Sequence, residues 1–120
     1  MTVGLRKEME SLTGAYYEEA PEDAAYPYAV FSLRRLGDGE GKQTCSLEVN
    51  IWDQHPYYSR AEDMMDALEE RLHRCSLNTG EGFLVRIFKG ARQNVPDPDR
   101  TIRRVREIFE AQIYKGEDWG

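Results

Sequence analysis

The sequence predicts an α+β fold: a mainly antiparallel sheet of four to five strands with two helices packed on one face. Three observations carry this. Cys45, Leu47, Val49 and Ile51 alternate with Ser46, Glu48, Asn50 and Trp52, the period-two pattern of a half-buried strand. Ala61, Met65, Leu68, Leu72 and Cys75 recur at steps of 4, 3, 4 and 3, the stripe of an amphipathic helix. The chain has 120 residues, 40% hydrophobic and 32% charged, which suits one domain over residues 1–120 and leaves little room for another.

Taken in order, Leu5, Met9 and Leu12 fall at i, i+4 and i+7, predicting a short helix over residues 3–13 that ends at Gly14. Residues 15–18 suit a brief strand, and residues 18–25, EEAPEDAA, an acidic loop without an apolar anchor. Residues 26–36, YPYAVFSLRRL, read as a strand with Ala29, Phe31 and Leu33 on one face and Pro27 at its start or edge. GDGEGK over residues 37–42 is a glycine-rich hairpin connection. Ser59 and Glu62 have the spacing of a capping box at the helix start, and Glu70 and Arg74 add an i,i+4 pair. Residues 78–82 form a turn, and Phe83 to Lys89 a strand with Phe83, Val85 and Ile87 on one side. Residues 90–99 read as a loop whose two prolines block ladder pairing. Thr101 to Tyr114 fits both periods; β-branched and aromatic content favours a strand, with Glu107 as the misfit. The face away from the helices then carries Tyr28, Val30, Trp52, Leu84, Phe88 and Ile108, an apolar surface that calls for a partner.

The formal charge of −6 argues against general nucleic-acid affinity, and no apolar run approaches a membrane span. The opening MTVGLRKEME lacks the apolar core of a signal peptide, so a cytoplasmic site of synthesis and assembly is expected. The charge is unevenly placed. Residues 86–106 hold seven basic side chains against Asp97 and Asp99, whereas residues 1–25 hold two against six acids. Such a split suits a subunit that assembles head to tail, and equally two independently solvated surfaces.

Little points to catalysis. His55 and His73 lack a second ligand at zinc spacing, Cys45 and Cys75 lie on apolar faces, and no phosphate cradle or nucleophile elbow is present. No catalytic residue, metal or cofactor is expected. Asp53 beside His55 is the one acid–base pair that can be drawn, and a turn role for Asp53 is the stronger reading. The knot Trp52-Asp53-Gln54-His55-Pro56-Tyr57-Tyr58 invites an interface instead, because such rings bury much area at small entropic cost.

The order of features resembles the small tail-completion, or tail-terminator, proteins of long-tailed bacteriophages. It is carried by the Tyr26-Pro27-Tyr28 strand, the Val49-Asn50-Ile51-Trp52-Asp53 strand end, the helix beginning Ala61-Glu62-Asp63, and Pro96-Asp97-Pro98-Asp99-Arg100 leading into the last strand. The resemblance implies a non-enzymatic virion protein, assembled in the host cytoplasm, at the head-proximal end of the tail. Subunits would form a homo-oligomeric ring, six-fold like the tail tube, that caps the tube and docks to the head-completion or connector protein. Trp52, Asp53, Tyr57, Tyr58, Lys89, Arg92, Arg100, Arg103 and Arg104 are then the expected subunit or tube contacts, the arginines meeting an acidic neighbour or DNA passing through the lumen. A head–tail connector is the alternative among structural proteins. A small ligand-binding or hydrolase domain built on Asp53 and His55, or a module that binds a host protein, is the alternative outside them.

Overall fold

The computed structural model describes residues 14–17, 19–39, 42–73, 76–78 and 83–115. The predicted helix over residues 3–13 lies outside them, as do Cys75 and Trp119. Among the described residues one helix, α1 (Ser59–His73), packs on a seven-stranded sheet. The strands are β1 (Gly14–Tyr17), β2 (Tyr28–Gly39), β3 (Lys42–Gln54), β4 (Ser76–Asn78), β5 (Phe83–Phe88), β6 (Arg92–Val95) and β7 (Ile102–Lys115). They lie in the order β1-β2-β3-β7-β5-β4, with β6 also paired to β7. The class is α+β as predicted. The sheet is larger than the four to five strands expected, and the β1–β2 pairing is parallel where all others are antiparallel.

The ambiguous segment after Thr101 is the strand β7, paired with β3 along thirteen successive positions from Gln54↔Ile102 to Lys42↔Tyr114. These long strands draw the molecule out to 52 × 24 × 22 Å.

Residues 90–95 differ from the predicted loop. Pairing of β5 with β7 keeps one register from Phe83↔Lys115 to Phe88↔Glu110, and β6 resumes at Arg92↔Glu107. Four steps from Phe88 to Arg92 are matched by three from Glu110 to Glu107, so residues 83–95 form one long strand with a single-residue bulge. The prolines at 96 and 98 follow the strand and do not interrupt it. Gly90 lies in the bulge, where a Cβ would stand 2.0 Å from the Ile108 carbonyl oxygen. Only glycine lets the two backbones approach this closely.

The helix-facing side of the sheet holds the core. Ala29, Phe31, Leu47, Val49, Ile51, Ile87, Val105, Phe109 and Ala111 meet the helix stripe Ala61, Met65, Leu68 and Leu72. Burying one Leu or Met of that stripe stabilises the fold by roughly 1.5–3 kcal/mol. The helix begins at Ser59 as expected, but the Glu62 carboxylate accepts a hydrogen bond from Asn94 Nδ2 at 3.0 Å, tying the helix to β6.

No described helix covers the opposite face, and that face is mixed where an apolar surface was expected. The β3–β7 register sets Glu48 opposite Ile108, Asn50 opposite Arg106, and Trp52 opposite Arg104. Each of these three pairs therefore carries at least one polar group. Among the described residues Phe88 and Ile108 remain over a third exposed there.

Candidate interaction site

The knot begins where β3 ends. Trp52 points to the helix-free face, where the Arg104 guanidinium lies 4.6 Å from its ring centroid, a cation–π contact. Arg104 Nε also donates to Asn50 Oδ1 at 2.9 Å, and Asn50 Nδ2 donates to Glu48 Oε2 at 2.9 Å. Arg106 closes this polar ladder on Glu48 Oε1 at 2.8 Å. Although its burial favours protonation, these hydrogen bonds and the arginine charges hold the Glu48 carboxyl below the usual range.

Asp53 points the other way and is fully buried. It is neither a turn former nor half of an acid–base pair. Arg60, in the first turn of α1, donates from Nε to Asp53 Oδ2 at 2.8 Å and from Nη2 to Oδ1 at 2.5 Å. The bidentate pair fastens the helix start to the strand end. His55 makes separate contacts: its Nδ1 accepts from the Tyr57 backbone N–H at 3.1 Å, and the His55 backbone N–H donates to the Thr101 carbonyl at 3.1 Å.

Arg103 binds the knot from β7. Its Nη2 and Nε donate to the Pro56 carbonyl at 2.9 and 3.3 Å, and its guanidinium lies 5.4 Å from the Tyr58 ring centroid. Tyr58 is partly buried against the core, whereas Tyr57 is 70% exposed. A loop held by Arg60, Arg103 and Thr101 thus presents one aromatic ring to solvent. A ring on a fixed support loses little entropy when a partner covers it.

Lys89 and Arg92 stand apart from the knot, beside α1. Arg92 Nε donates to Glu107 Oε1 at 2.8 Å, Nη1 to Asp66 Oδ1 at 2.6 Å, and Nη2 to Glu69 Oε2 at 2.9 Å. Lys89 Nζ lies 3.6 Å from Glu69 Oε1. Two cations thus face three carboxylates. Glu107 is fully buried, and no N–H or hydroxyl donor reaches its Oε2, so a bond between it and Glu69 requires a proton on Glu107 itself. Burial pushes the Glu107 carboxyl up to about 7, against the pull of Arg92 and with the help of neighbouring Glu69. Glu69 moves the other way: burial opposes ionisation, but hydrogen bonds to Glu107 and Arg92 hold its carboxyl below the usual range. One proton on Glu107 balances the cluster at two charges of each sign.

Of the nine residues singled out from the sequence, Trp52, Tyr57, Tyr58, Arg103 and Arg104 gather at one end of the sheet. Arg100 is exposed in the adjoining turn, where Asp99 Oδ1 accepts from both the Thr101 N–H and hydroxyl at 2.9 and 2.7 Å. Asp53 and Arg92 are engaged within the subunit. Arg60, Glu48, Asn50, Asp66 and Glu69 escaped the sequence reading, while Glu107 announced itself as the one charged residue on an apolar strand face. Among the described residues no group of three or more His, Cys, Asp or Glu side chains could hold a metal ion. None of the described helices is long and apolar enough to cross a membrane.

Comparison with known proteins agrees with this architecture. No curated protein matches the chain. Among solved structures, a chain from the "Virion of native gene transfer agent (GTA) particle" shares the fold with a TM-score of 0.76. The two are 13% identical, and the match covers 95% of this chain and 94% of that one. The family model described as "Tail completion protein gp17" matches residues 5–114. That span takes in the knot, the arginine-rich start of β7 and every described strand up to the last residue of β7, and the chain belongs to the tail completion protein gp17 family.

Proposed function

We propose that this tail structural protein forms a ring, six-fold like the tube beneath it, that caps the head-proximal end of a phage-type tail tube. The ring stops tube growth and supplies the surface on which the head connector docks. Membership in a tail completion family supports the tail role, and the match to a virion chain supports a fold used in such particles. The observation that carries the site is the rigidly held knot with Tyr57 on its outside. Tyr57, Arg100 and the Trp52–Arg104 pair are the contact groups in this reading, and Tyr58 supports the loop from within. Asp53 and Arg92 serve the interface indirectly, by fixing α1 to the sheet. Lys89 lies on the helix side, where a second contact with the tube or the next subunit would form.

The function is one of geometry. A terminator must pair with the growing end on one side and offer the next tube subunit nothing to pair with on the other. Charged and aromatic groups on a fixed frame meet the first requirement without bond chemistry.

The test is to add purified chain to growing tail tubes and measure tube lengths and end structure by electron microscopy. Wild type should give capped tubes of arrested length. Tyr57→Ala should fold normally and cap poorly. Tubes capped equally well by both proteins would place the contact elsewhere. Labelled antibody found at the head vertex and not at the tube end would favour the connector reading.

A further inference from the structure

Two carboxyl groups meet where α1 lies on the sheet. Glu69 reaches down from the helix, Glu107 reaches up from β7, and a hydrogen bond joins them. Carboxylates only accept, so this bond exists only while one of the pair carries a proton. Glu107 is the carrier. It is fully buried and no N–H or hydroxyl donor serves its Oε2, whereas Glu69 accepts from Arg92 and lies beside Lys89. Two carboxylates that share one site resist ionising together.

The surroundings decide which side gives when the proton leaves. Among the described residues, Arg92 faces Glu107 from β6, and Asp66 and Glu69 line the rim of α1, with Lys89 beside Glu69. Glu62, earlier on the same rim, is bound by Asn94. The other neighbours are apolar: β3 sets Val49 opposite Glu107, β5 brings Ile87 to this side, and Val105 and Phe109 flank it along β7. Arg103 lies farther along β7, turned onto Pro56. Glu107 cannot withdraw, since β3 and β6 pair with its strand on both sides. Glu69 can, because its side chain is already 24% exposed.

We propose that Glu69 and Glu107 share one proton as a latch, and that its loss swings the Glu69 carboxylate out to solvent while Arg92 stays on Glu107. The step is an acid dissociation: the Glu107 O–H bond breaks, the proton passes to water, and two carboxylates are left charged. Their repulsion acts across the boundary between α1 and β7, and the more exposed partner yields. The helix stays docked, because its stripe of Ala61, Met65, Leu68 and Leu72 is untouched. Burial and Glu69 set the Glu107 carboxyl at about 7, so the latch opens near neutral pH. Above that pH the rim of α1 presents Glu69 outward beside Asp66, and a partner that touches this rim meets a surface set by pH. The device belongs to the single chain, so its test stands apart from the ring reading.

Carboxyl carbon-13 NMR of the full-length protein tests it. In wild type the Glu107 and Glu69 resonances should move together, with one midpoint near 7, and Glu69 should titrate on its own only at acid pH. Glu107→Gln replaces the shared proton with an amide donor, so Glu69 should show no transition near neutrality. Glu69→Gln gives Oε2 the donor it lacks and removes a charge, so the Glu107 midpoint should fall by more than about one pH unit. A soluble paramagnetic agent should broaden the wild-type Glu69 side chain at least about twofold more above the transition than below it, and E107Q equally at both. Should Glu69→Gln melt early, the wild-type and E107Q spectra decide alone. A Glu107 midpoint unmoved in Glu69→Gln means that burial alone raises it and refutes the shared proton. A wild-type Glu69 signal that ignores the transition, or is no more accessible above it, refutes the latch.

Discussion

Replacing Glu107 with glutamine isolates the proton that the buried cluster holds. Between pH 4.5 and about 7 the folded chain keeps a proton on Glu107 that the unfolded chain has released. Folding then binds protons, so this group's contribution is fully present below pH 4.5 and is lost as pH rises through 7. At about 1.4 kcal/mol per tenfold change in proton affinity, the interval corresponds to about 3 kcal/mol. Glu69, held below the usual range, contributes with the opposite sign and reduces the net effect. Glutamine keeps an oxygen for Arg92 Nε and cannot ionise. E107Q should therefore match wild type near pH 5 and exceed it at pH 8 by roughly 2–3 kcal/mol. For a chain of this size that is about 8–12 °C in melting temperature. Thermal melts followed by circular dichroism from pH 5 to 9 measure it. Melting curves for the two proteins that stay parallel across this range would show that Glu107 is ionised throughout, and the two-against-three count would then be balanced by something else.

The other predictions concern single contacts. Gly90→Ala drives a Cβ into the Ile108 carbonyl and should cost roughly 1–3 kcal/mol, read by chemical denaturation. Arg60→Ala leaves the Asp53 carboxylate buried without its partner and should cost about 2–3 kcal/mol, whereas Asp53→Asn with Arg60→Ala should recover part of that loss. Leu68→Ala, under the sheet, should destabilise by about 2–5 kcal/mol while Tyr57→Ala stays within about 0.5 kcal/mol of wild type. Glu48 is held below the usual carboxylate range, so its stabilisation is present above that range and is lost as pH falls through its lowered value. E48Q should accordingly flatten the acid limb of the melting profile.

Much of this was legible because burial imposes period on sequence. The alternation from Cys45 to Ile51 and the stripe from Ala61 to Leu72 correspond to the central strand and its covering helix, since each has one dry side. The last strand was harder to read, because its dry side accepts the charged Glu107. Residues 90–95 were misread for a related reason. Gly90 and the prolines at 96 and 98 resemble loop punctuation, and the pairing of β6 depends on β7, a partner distant in sequence. Arg60 was invisible as a site residue because its role is fixed only once the helix start folds back over Asp53. Side chains that act across the sheet, such as Glu48 and Asn50, carry no local signal at all.

The bulge at residues 89–91 also has a consequence for how the gene can vary. Odd-numbered Ile87 and even-numbered Arg92 both turn toward the helix because one surplus residue changes the parity of the strand. Deleting a single codon there would restore regular pairing from Phe88↔Glu110 to Arg92↔Glu107 and leave the next four side chains on their present faces. Inserting a codon without widening the bulge would instead set Ala91 opposite Glu107, and the buried carboxyl would lose Arg92. At this point the strand therefore tolerates the loss of one residue better than the gain of one.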